Sequence, residues 1–476
     1  MNPENLRYIL GLKLRKLRQE RGYGLKELSA LTGLSISYLS EIEKGRKYPK
    51  PDKILQLAEG LGVPFDDLVS LKVDEDLDPV KAIVSSNFIQ GFPFQLFGLQ
   101  PADVLGLVTE VPNKAGALVR TFLDIARTYD VRVEHFLFAA LRSYQQMHSN
   151  HFEELERAAA AMMAENDWND APTVTAAPIK ALLESRFGYR VTFDPLPEHP
   201  SLHALRAIHL EDRRRPTLIV NPRLLPAQQA FVLARELGYR VLDLKERSFT
   251  SSALRVTSFD QVINDFKAAY FAGALLIPQA GLSEALRAFF ARTTWSSAAF
   301  HAIMARYNAT PEMFFYRLSQ LLPHRFGLKE LFFLRFNHGV GGARYLLTKI
   351  LNLSQMPIPH GIGLNEHHCR RWPGAELLRE MDAAAVDGQP PEPSPSVAVQ
   401  RSRFLHPDAE FLVVSMSRPL VLSADTNASV SLGIAIDDES RRQIAFVGDP
   451  AVPTREVNLT CERCPLKDCA ERAADP

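Results

Sequence analysis

Between Leu6 and Leu61, apolar residues recur at intervals of three and four, and glycines cut that helical pattern into short pieces. Residues 6–20 are predicted as one helix, stopping at Arg21-Gly22, and residues 25–32 as a second, closed by Gly33. Ser35 is placed to cap a third, 36–44, by accepting an orphan N–H of its first turn, and Gly45 ends it. Asp52 is placed to cap a fourth, 53–61, which stops at Gly62. An acidic stretch at 73–79 reads as a linker. Helical spacing then resumes, with Leu118, Phe122, Ile125 and Tyr129 on one face; His135, His148 and His151 in this stretch read as exposed or capping side chains. From Ala176 the pattern becomes mixed: a helix at 179–187, short strands at 189–194 and 217–221, and a helix from Pro226. Residues 332–337 and 343–353 read as strands joined by HGVGG, a hairpin turn rather than a phosphate cradle, since no helix start follows. After a proline-rich linker at 388–396, residues 411–417, 430–436 and 443–447 alternate like strands of a small sheet. The expected fold is multidomain and mostly α with α+β parts: an all-α N-terminus (1–72), a helical middle (73–170), an α/β domain (171–295) and a small mixed β domain at the C-terminus (296–476).

Composition narrows the function classes. In 476 residues, 46% apolar and 23% charged, the chain is globular rather than disordered. The 55 basic and 55 acidic residues cancel, but from Lys13 to Lys53 eleven basic residues face five acidic ones, a local excess of +6. The longest apolar run, 268–277, is far short of the ~18–20 residues of a membrane span. MNPENLRYIL lacks the layout of a signal peptide, and four cysteines are too few for a secreted disulfide scaffold. A cytoplasmic protein without a membrane partner is expected.

The basic segment has the form of a DNA reader. Two short helices joined at Thr32-Gly33-Leu34 would place the second in the major groove, with Ile36, Ser37, Tyr38, Ser40 and Glu41 toward base edges and Lys44, Arg46 and Lys47 toward phosphates. The segment LSALTGLSISYLSEIEKGRKYPKPDKILQLAEGLGV resembles the Xre/Cro-type helix-turn-helix at Leu28, Gly33, Ser35, Tyr38, Ile42, Glu43, Gly45, Pro49, Leu57 and Ala58. It departs at Leu25, where many members carry a phosphate-binding Gln. One such module covers a half-site, so a homodimer on double-stranded operator DNA is expected.

AFVLARELGYRVLDL resembles the HExxH helix of the ImmA/IrrE-type metallopeptidase-like, zincin-like domain. Its two histidine places fall on Arg235 and Tyr239, only Glu236 is kept, and the acidic ligand of the following helix falls near Asp265. Guanidinium and phenol do not make a zinc site, which needs three protein ligands and a water, so the frame is expected without the enzyme and Glu236 as partner of a nearby Arg. The cysteines are grouped: Cys461-x2-Cys464-x4-Cys469, with Cys369 upstream in CRRWP. Four thiolates hold a [4Fe–4S] cluster or tetrahedral zinc, and redox-active or unligated thiols are the remaining reading.

Taken in order, these parts resemble the short-chain fatty acyl transcriptional regulators over nearly the full length. The resemblance is carried by the Xre-type module, RSYQQMHSNHFEELE, the peptidase-like domain without histidines, FFLRFN, CRRWP and CERCPLKDCAER. It implies a regulator of propionate- or acetate-type catabolism with an acyl-CoA effector, in a family where some members carry an iron–sulfur cluster. The stretch HGVGGARYLLTK departs from the family's polar hairpin. Two rivals remain: a redox- or iron-responsive factor switched through the cysteines, and a metallopeptidase acting on a repressor.

Overall fold

The computed structural model describes residues 3–70, 133–169, 173–194, 200–211, 215–247, 256, 258–356, 358, 366–386, 395–406 and 408–474. Two compact units partition the chain, one spanning 1–144 with 257–259, the other the remainder. The helices expected around 118–129 and most of the proline-rich linker lie outside the described residues.

The first unit opens with five helices: α1 (Pro3–Glu20), α2 (Leu25–Thr32), α3 (Ile36–Glu43), α4 (Pro51–Leu61) and α5 (Phe65–Val69). Leu10, Leu14, Leu28, Leu39, Ile42, Ile54, Leu57 and Leu61 form their shared core. Gly33 closes α2 at φ 69° in the left-handed region, and Ser35 Oγ accepts the Tyr38 N–H at 3.2 Å to start α3. Asp52 does not cap α4. Lys50 occupies the cap position and Pro51 starts the helix, because a ring with fixed φ and no N–H fits the first helical position. At Gly11, a Cβ would sit 2.3 Å from the Ile42 carbonyl oxygen, so α1 and α3 meet backbone to backbone. Arg18 adds a bidentate pair to Glu43 (2.6 and 2.9 Å) and donates to the Tyr23 carbonyl at 2.7 Å.

Beyond α6 (Val133–Met147), the second unit combines a helical array with two sheets. Helices α7 (Glu153–Glu165) and α8 (Ala176–Phe187) precede β1 (Arg190–Thr192), α9 (Pro200–His203), β2 (Ala207–Leu210) and β3 (Thr217–Val220). The strands form a sheet in the order β1-β3-β2, β1 parallel and β2 antiparallel to β3; β2 was not expected. Then come α10 (Pro226–Val241), which packs on α8, α11 (Phe259–Leu276), α12 (Gln279–Phe290), α13 (Ser297–Arg306) and α14 (Pro311–Phe326). A wholly buried ion pair ties α7 to α14: Arg317 Nη1 and Nη2 donate to Glu156 at 2.6 and 2.8 Å, and Tyr270 of α11 donates to the same carboxylate at 2.8 Å.

The C-terminal sheet has six strands in the order β5-β4-β8-β7-β6-β9: β4 (Leu331–Gly339), β5 (Tyr345–Asn352), β6 (Ser396–Phe404), β7 (Ala409–Leu420), β8 (Ser423–Ala435) and β9 (Thr454–Val457). HGVGG is a hairpin turn between β4 and β5, with Gly341 at φ 71°. α15 (Pro373–Val386) covers one face, where Phe332, Leu334, Phe336, Trp372, Leu378 and Phe411 pack together. α14 covers the other, where Tyr316 meets Phe333 edge-on. Residues 443–447 are not a strand. They end a short helix, α16 (Asp438–Gln443), and form a 3-10 turn, because Asp437 caps the helix through the Ser440 N–H at 2.8 Å and starts a different local structure. Strands β6 and β9 were also not expected.

Candidate functional sites

In the first unit, burying Leu39 and Ile42 turns the opposite face of α3 outward. Ile36, Ser37, Lys44, Arg46 and Lys47 are exposed, and Tyr38, Ser40 and Glu41 are half-buried. Ile36 is 46% exposed, unusual for a branched apolar side chain and suited to packing on thymine methyls. Lys47 lies 5.8 Å from the Tyr38 ring centroid, and Arg46 pairs with Glu41 at 3.4 Å. Lys13 and Arg18, by contrast, serve the fold: Lys13 donates to the carbonyls of Asp67 and Ser70 at 2.8 and 2.6 Å.

In the peptidase-like frame, the three places where ligands would stand come together on each other. Arg235 Nη2 lies 2.9 Å from Asp265 Oδ1, and the Tyr239 hydroxyl donates to that same oxygen. Glu236 turns to a second set of partners. Arg247 donates to both its oxygens (2.7 and 2.6 Å), Tyr189 donates to Oε1 at 2.6 Å, and His209 Nε2 stands 3.7 Å away. Arg247 also lies over the Tyr239 ring at 4.3 Å. The guanidinium groups of Arg235 and Arg247 thus supply positive charge in the frame, and the carboxylates of Asp265 and Glu236 are both engaged by them. Burial by itself would push the Glu236 carboxyl up, but the Arg247 guanidinium overrides it and holds the group below its usual range. Burial lowers His209, with Glu236 opposing.

These two shifts predict a two-stage acid response. A histidine held neutral contributes stability in full above its unfolded value of ~6.5 and loses it as pH falls toward the folded value; a depressed carboxyl contributes above ~4.3 and loses it as pH falls through its own folded value. Melting temperature should therefore decline gently below about pH 6.5 and steeply below about 4.3. His209→Gln should shrink the gentle phase; an unchanged profile in that variant would remove His209 from the account.

All four cysteines are free thiols and line one narrow cleft of about 10 Å³. An isolated antiparallel bridge between His368 and Thr460 brings the distant Cys369 there: Cys369 N–H donates to Leu459 O at 3.2 Å and Cys461 N–H to His367 O at 2.8 Å. The Cys464 N–H closes on Cys461 O at 3.2 Å, setting the tight Cys-x2-Cys turn. Arg472 Nη1 holds the loop through the Cys464 and Leu466 carbonyls (3.3 and 2.7 Å), and the Ala473 N–H donates to Cys461 Sγ at 3.5 Å. Burial pushes the Cys369 thiol up to about 11, despite backbone N–H donors from Asn458 and Arg371. A second cleft of about 360 Å³ adjoins the thiols, lined by Tyr345, His367, Arg370, Arg379 and Arg472.

Sequence reasoning missed Arg247, Tyr189 and His209, which carry no motif. It also passed over Arg472, though its place in CERCPLKDCAER was a usable signal.

Two family models match the chain: a helix-turn-helix over residues 14–68 and an IrrE N-terminal-like domain over 184–319. An uncharacterized HTH-type transcriptional regulator of Sinorhizobium fredii, y4dJ, is 36% identical over 66 residues, which are 14% of this chain and 86% of that protein. By this module the chain belongs to the helix-turn-helix family. The HTH-type transcriptional regulator SutR of Escherichia coli is 39% identical over 67 residues, 14% of this chain and 38% of SutR. The HTH-type transcriptional regulator PrpR of Mycobacterium tuberculosis is 26% identical over 300 residues, 57% of this chain and 56% of PrpR. The chain thus spans well under two thirds of the length of SutR and of PrpR. Among the described residues no helix is long and apolar enough to cross a membrane.

Proposed function

We propose that this protein is a non-enzymatic transcriptional regulator that acts as a homodimer on a pseudo-palindromic operator, with operator affinity set by an acyl-CoA effector. The observation that carries the DNA-binding part is the outward face of α3, where exposed Ile36, Ser37, Lys44, Arg46 and Lys47 surround Tyr38. The likeness to PrpR, an HTH-type transcriptional regulator, extends well beyond the reading head and supports a regulatory role for the chain; the acyl-CoA effector is what the resemblance to the short-chain fatty acyl regulators implies. A coupling of ~1–3 kcal/mol between effector and operator would change DNA affinity ~5–150-fold.

A second reading, switching by redox or iron, is favoured by the thiol cleft. Cys369, Cys461, Cys464 and Cys469 would hold a [4Fe–4S] cluster, which when bound supplies a redox couple. The chain's own part is to gather the thiols through the His368–Thr460 bridge and to keep the Cys-x2-Cys turn in place through Arg472.

One experiment separates the readings. Operator binding of anaerobically purified protein is titrated with acetyl-, propionyl- and longer acyl-CoAs, before and after oxidation, with iron and sulfide quantified. The effector reading expects a saturable change with one chain length. The redox reading expects brown, iron-containing protein whose affinity changes on oxidation, and a colourless, iron-free anaerobic preparation overturns it. Indifference to every acyl-CoA overturns the first.

A further inference from the structure

The seam between α7 and α14 carries a second polar cluster, nearer the surface than the Glu156–Arg317 pair. Glu153 precedes Glu156 by three positions on α7, and His324 follows Arg317 by seven on α14, so both lie on the facing sides of the two helices. His151, in the turn before α7, completes the group. One nitrogen or oxygen atom from each of His151, Glu153 and His324 lies within 4.8 Å of the other two. The imidazole rings stack in parallel, 3.9 Å between centroids and 5° between planes, and His151 Nε2 stands 3.4 Å from Glu153 Oε2.

The turn that presents His151 is held in a costly conformation. Ser149 and Asn150 take positive φ, 48° and 52°, in a region that residues other than glycine seldom enter. Asn150 is wholly buried and clasped on both sides: Nδ2 donates to Ser319 Oγ of α14 at 3.1 Å, and Oδ1 accepts from Gln145 at 3.0 Å. Two consecutive left-handed residues thus fix His151 against the last turn of α14. The His151 side chain is only 7% exposed, contrary to the exposed or capping role that its sequence context suggests. Its Nδ1 is buried with no hydrogen-bond partner among the described residues, and Nε2 makes the one long contact to Glu153. Buried ring nitrogens are normally hydrogen-bonded; this ring is firmly placed and neither nitrogen is fully committed.

Two imidazoles and a carboxylate are a donor set for borderline divalent transition metals such as zinc, whereas calcium and magnesium favour oxygen ligands. Tetrahedral zinc with bonds of ~2.0–2.2 Å needs donor atoms ~3.4 Å apart. Glu153 and His324 are exposed and close the remaining distance by side-chain rotation, while His151 stays fixed. Ring lone pairs lie in the ring plane, so His324 turns out of the stack to share an ion with His151. The neighbouring cation, Arg325, is drawn off to Gln279 Oε1 at 2.7 and 3.2 Å. A cation here also meets the negative end of the α14 dipole.

We propose that His151, Glu153 and His324 form a binding site for a divalent transition-metal ion of the zinc class, with water completing the shell, which fastens the start of α7 to the end of α14. The site shares no residue with the thiol cleft and is independent of the operator and effector readings.

The test is equilibrium dialysis of the full chain, purified anaerobically, against buffered free zinc, with bound zinc counted per chain over a range of concentrations. The unmodified chain should hold one equivalent that His324→Ala binds at least about tenfold more weakly, since loss of even an outer-shell partner costs ~10–100-fold. Glu153→Gln should weaken the same equivalent several-fold. Glu154→Gln removes an equal charge at an exposed position beside it and should change nothing. X-ray absorption at the zinc edge separates this site from zinc held by the thiols. On going to His324→Ala, nitrogen or oxygen neighbours at ~2.0–2.2 Å should be lost and any sulfur at ~2.3 Å kept. Circular dichroism of each variant separates misfolding from lost binding, and Glu153→Gln carries the test if His324→Ala misfolds. Equal zinc content in the unmodified chain, His324→Ala and Glu153→Gln overturns the proposal. So does an equal loss in Glu154→Gln, which reduces the effect to general attraction, or a zinc shell of sulfur alone in the unmodified chain.

Discussion

Replacing Arg317 by methionine should cost about 3–5 kcal/mol of stability, the largest loss expected from any single substitution at the ion pairs described above. Both side chains of the pair are sealed from water, with Arg317 0% and Glu156 2% exposed. The guanidinium uses nearly all its donors: both oxygens of Glu156, the Gln320 amide oxygen at 3.0 Å and the Ile277 carbonyl at 2.9 Å. Removing it leaves, among the described residues, a carboxylate held only by the Tyr270 hydroxyl at 2.8 Å, with burial raising its pKa and no guanidinium to oppose it. The partner would then take up a proton or draw water into the core. The double variant Glu156→Leu, Arg317→Met removes both charges and should recover most of the loss, because two apolar chains need no compensation. Denaturant unfolding followed by circular dichroism measures both. A single-variant loss under about 1 kcal/mol would mean that the pair is no stronger than a surface salt bridge.

On the reading head, two groups of substitutions should separate by their salt dependence. Ser37→Ala with Tyr38→Ala removes the groups proposed to face base edges. Each base-edge interaction is worth ~1–3 kcal/mol, so operator affinity should fall by at least about tenfold while non-specific binding holds. Lys44→Ala and Lys47→Ala, both exposed at the end of α3, should weaken all DNA alike. Each should also reduce the slope of log K against log salt by ~0.9 for every phosphate that is no longer neutralised. Fluorescence anisotropy on a specific and a scrambled duplex between low and moderate salt distinguishes the two. Intact specificity in the Ser37, Tyr38 double variant would remove α3 from the groove.

How legible each part was follows the range of the interactions that build it. The head could be read because its signals are local: Gly33 at positive φ, the Ser35 cap and the Leu39/Ile42 spacing each act within one turn. The capping of α4 was misassigned because Asp52 and Pro51 are both good start signals one residue apart, and the proline prevailed. Strands β2, β6 and β9 escaped notice because two are only four residues long and β6 adjoins proline-rich sequence. The thiol set was visible as a spacing in CERCPLKDC, but the convergence of Cys369 depends on a two-residue bridge formed after a separation of 92 positions, which no periodicity records. Arg247 is a single basic residue in an unremarkable stretch. Its meaning lies wholly in what the fold sets against it.

The backbone contact at Gly11 bears on how such a head is controlled. With no side chain between α1 and the Ile42 carbonyl, and with Arg18 clasping Glu43, α3 has no room to slide or roll on its support. In the proposed effector-controlled homodimer, the effector would have little scope to alter what each head recognises. It would act on the distance and angle between the two heads, so that regulation would appear as a changed preference for half-site spacing, with the half-site sequence itself the same in liganded and unliganded states.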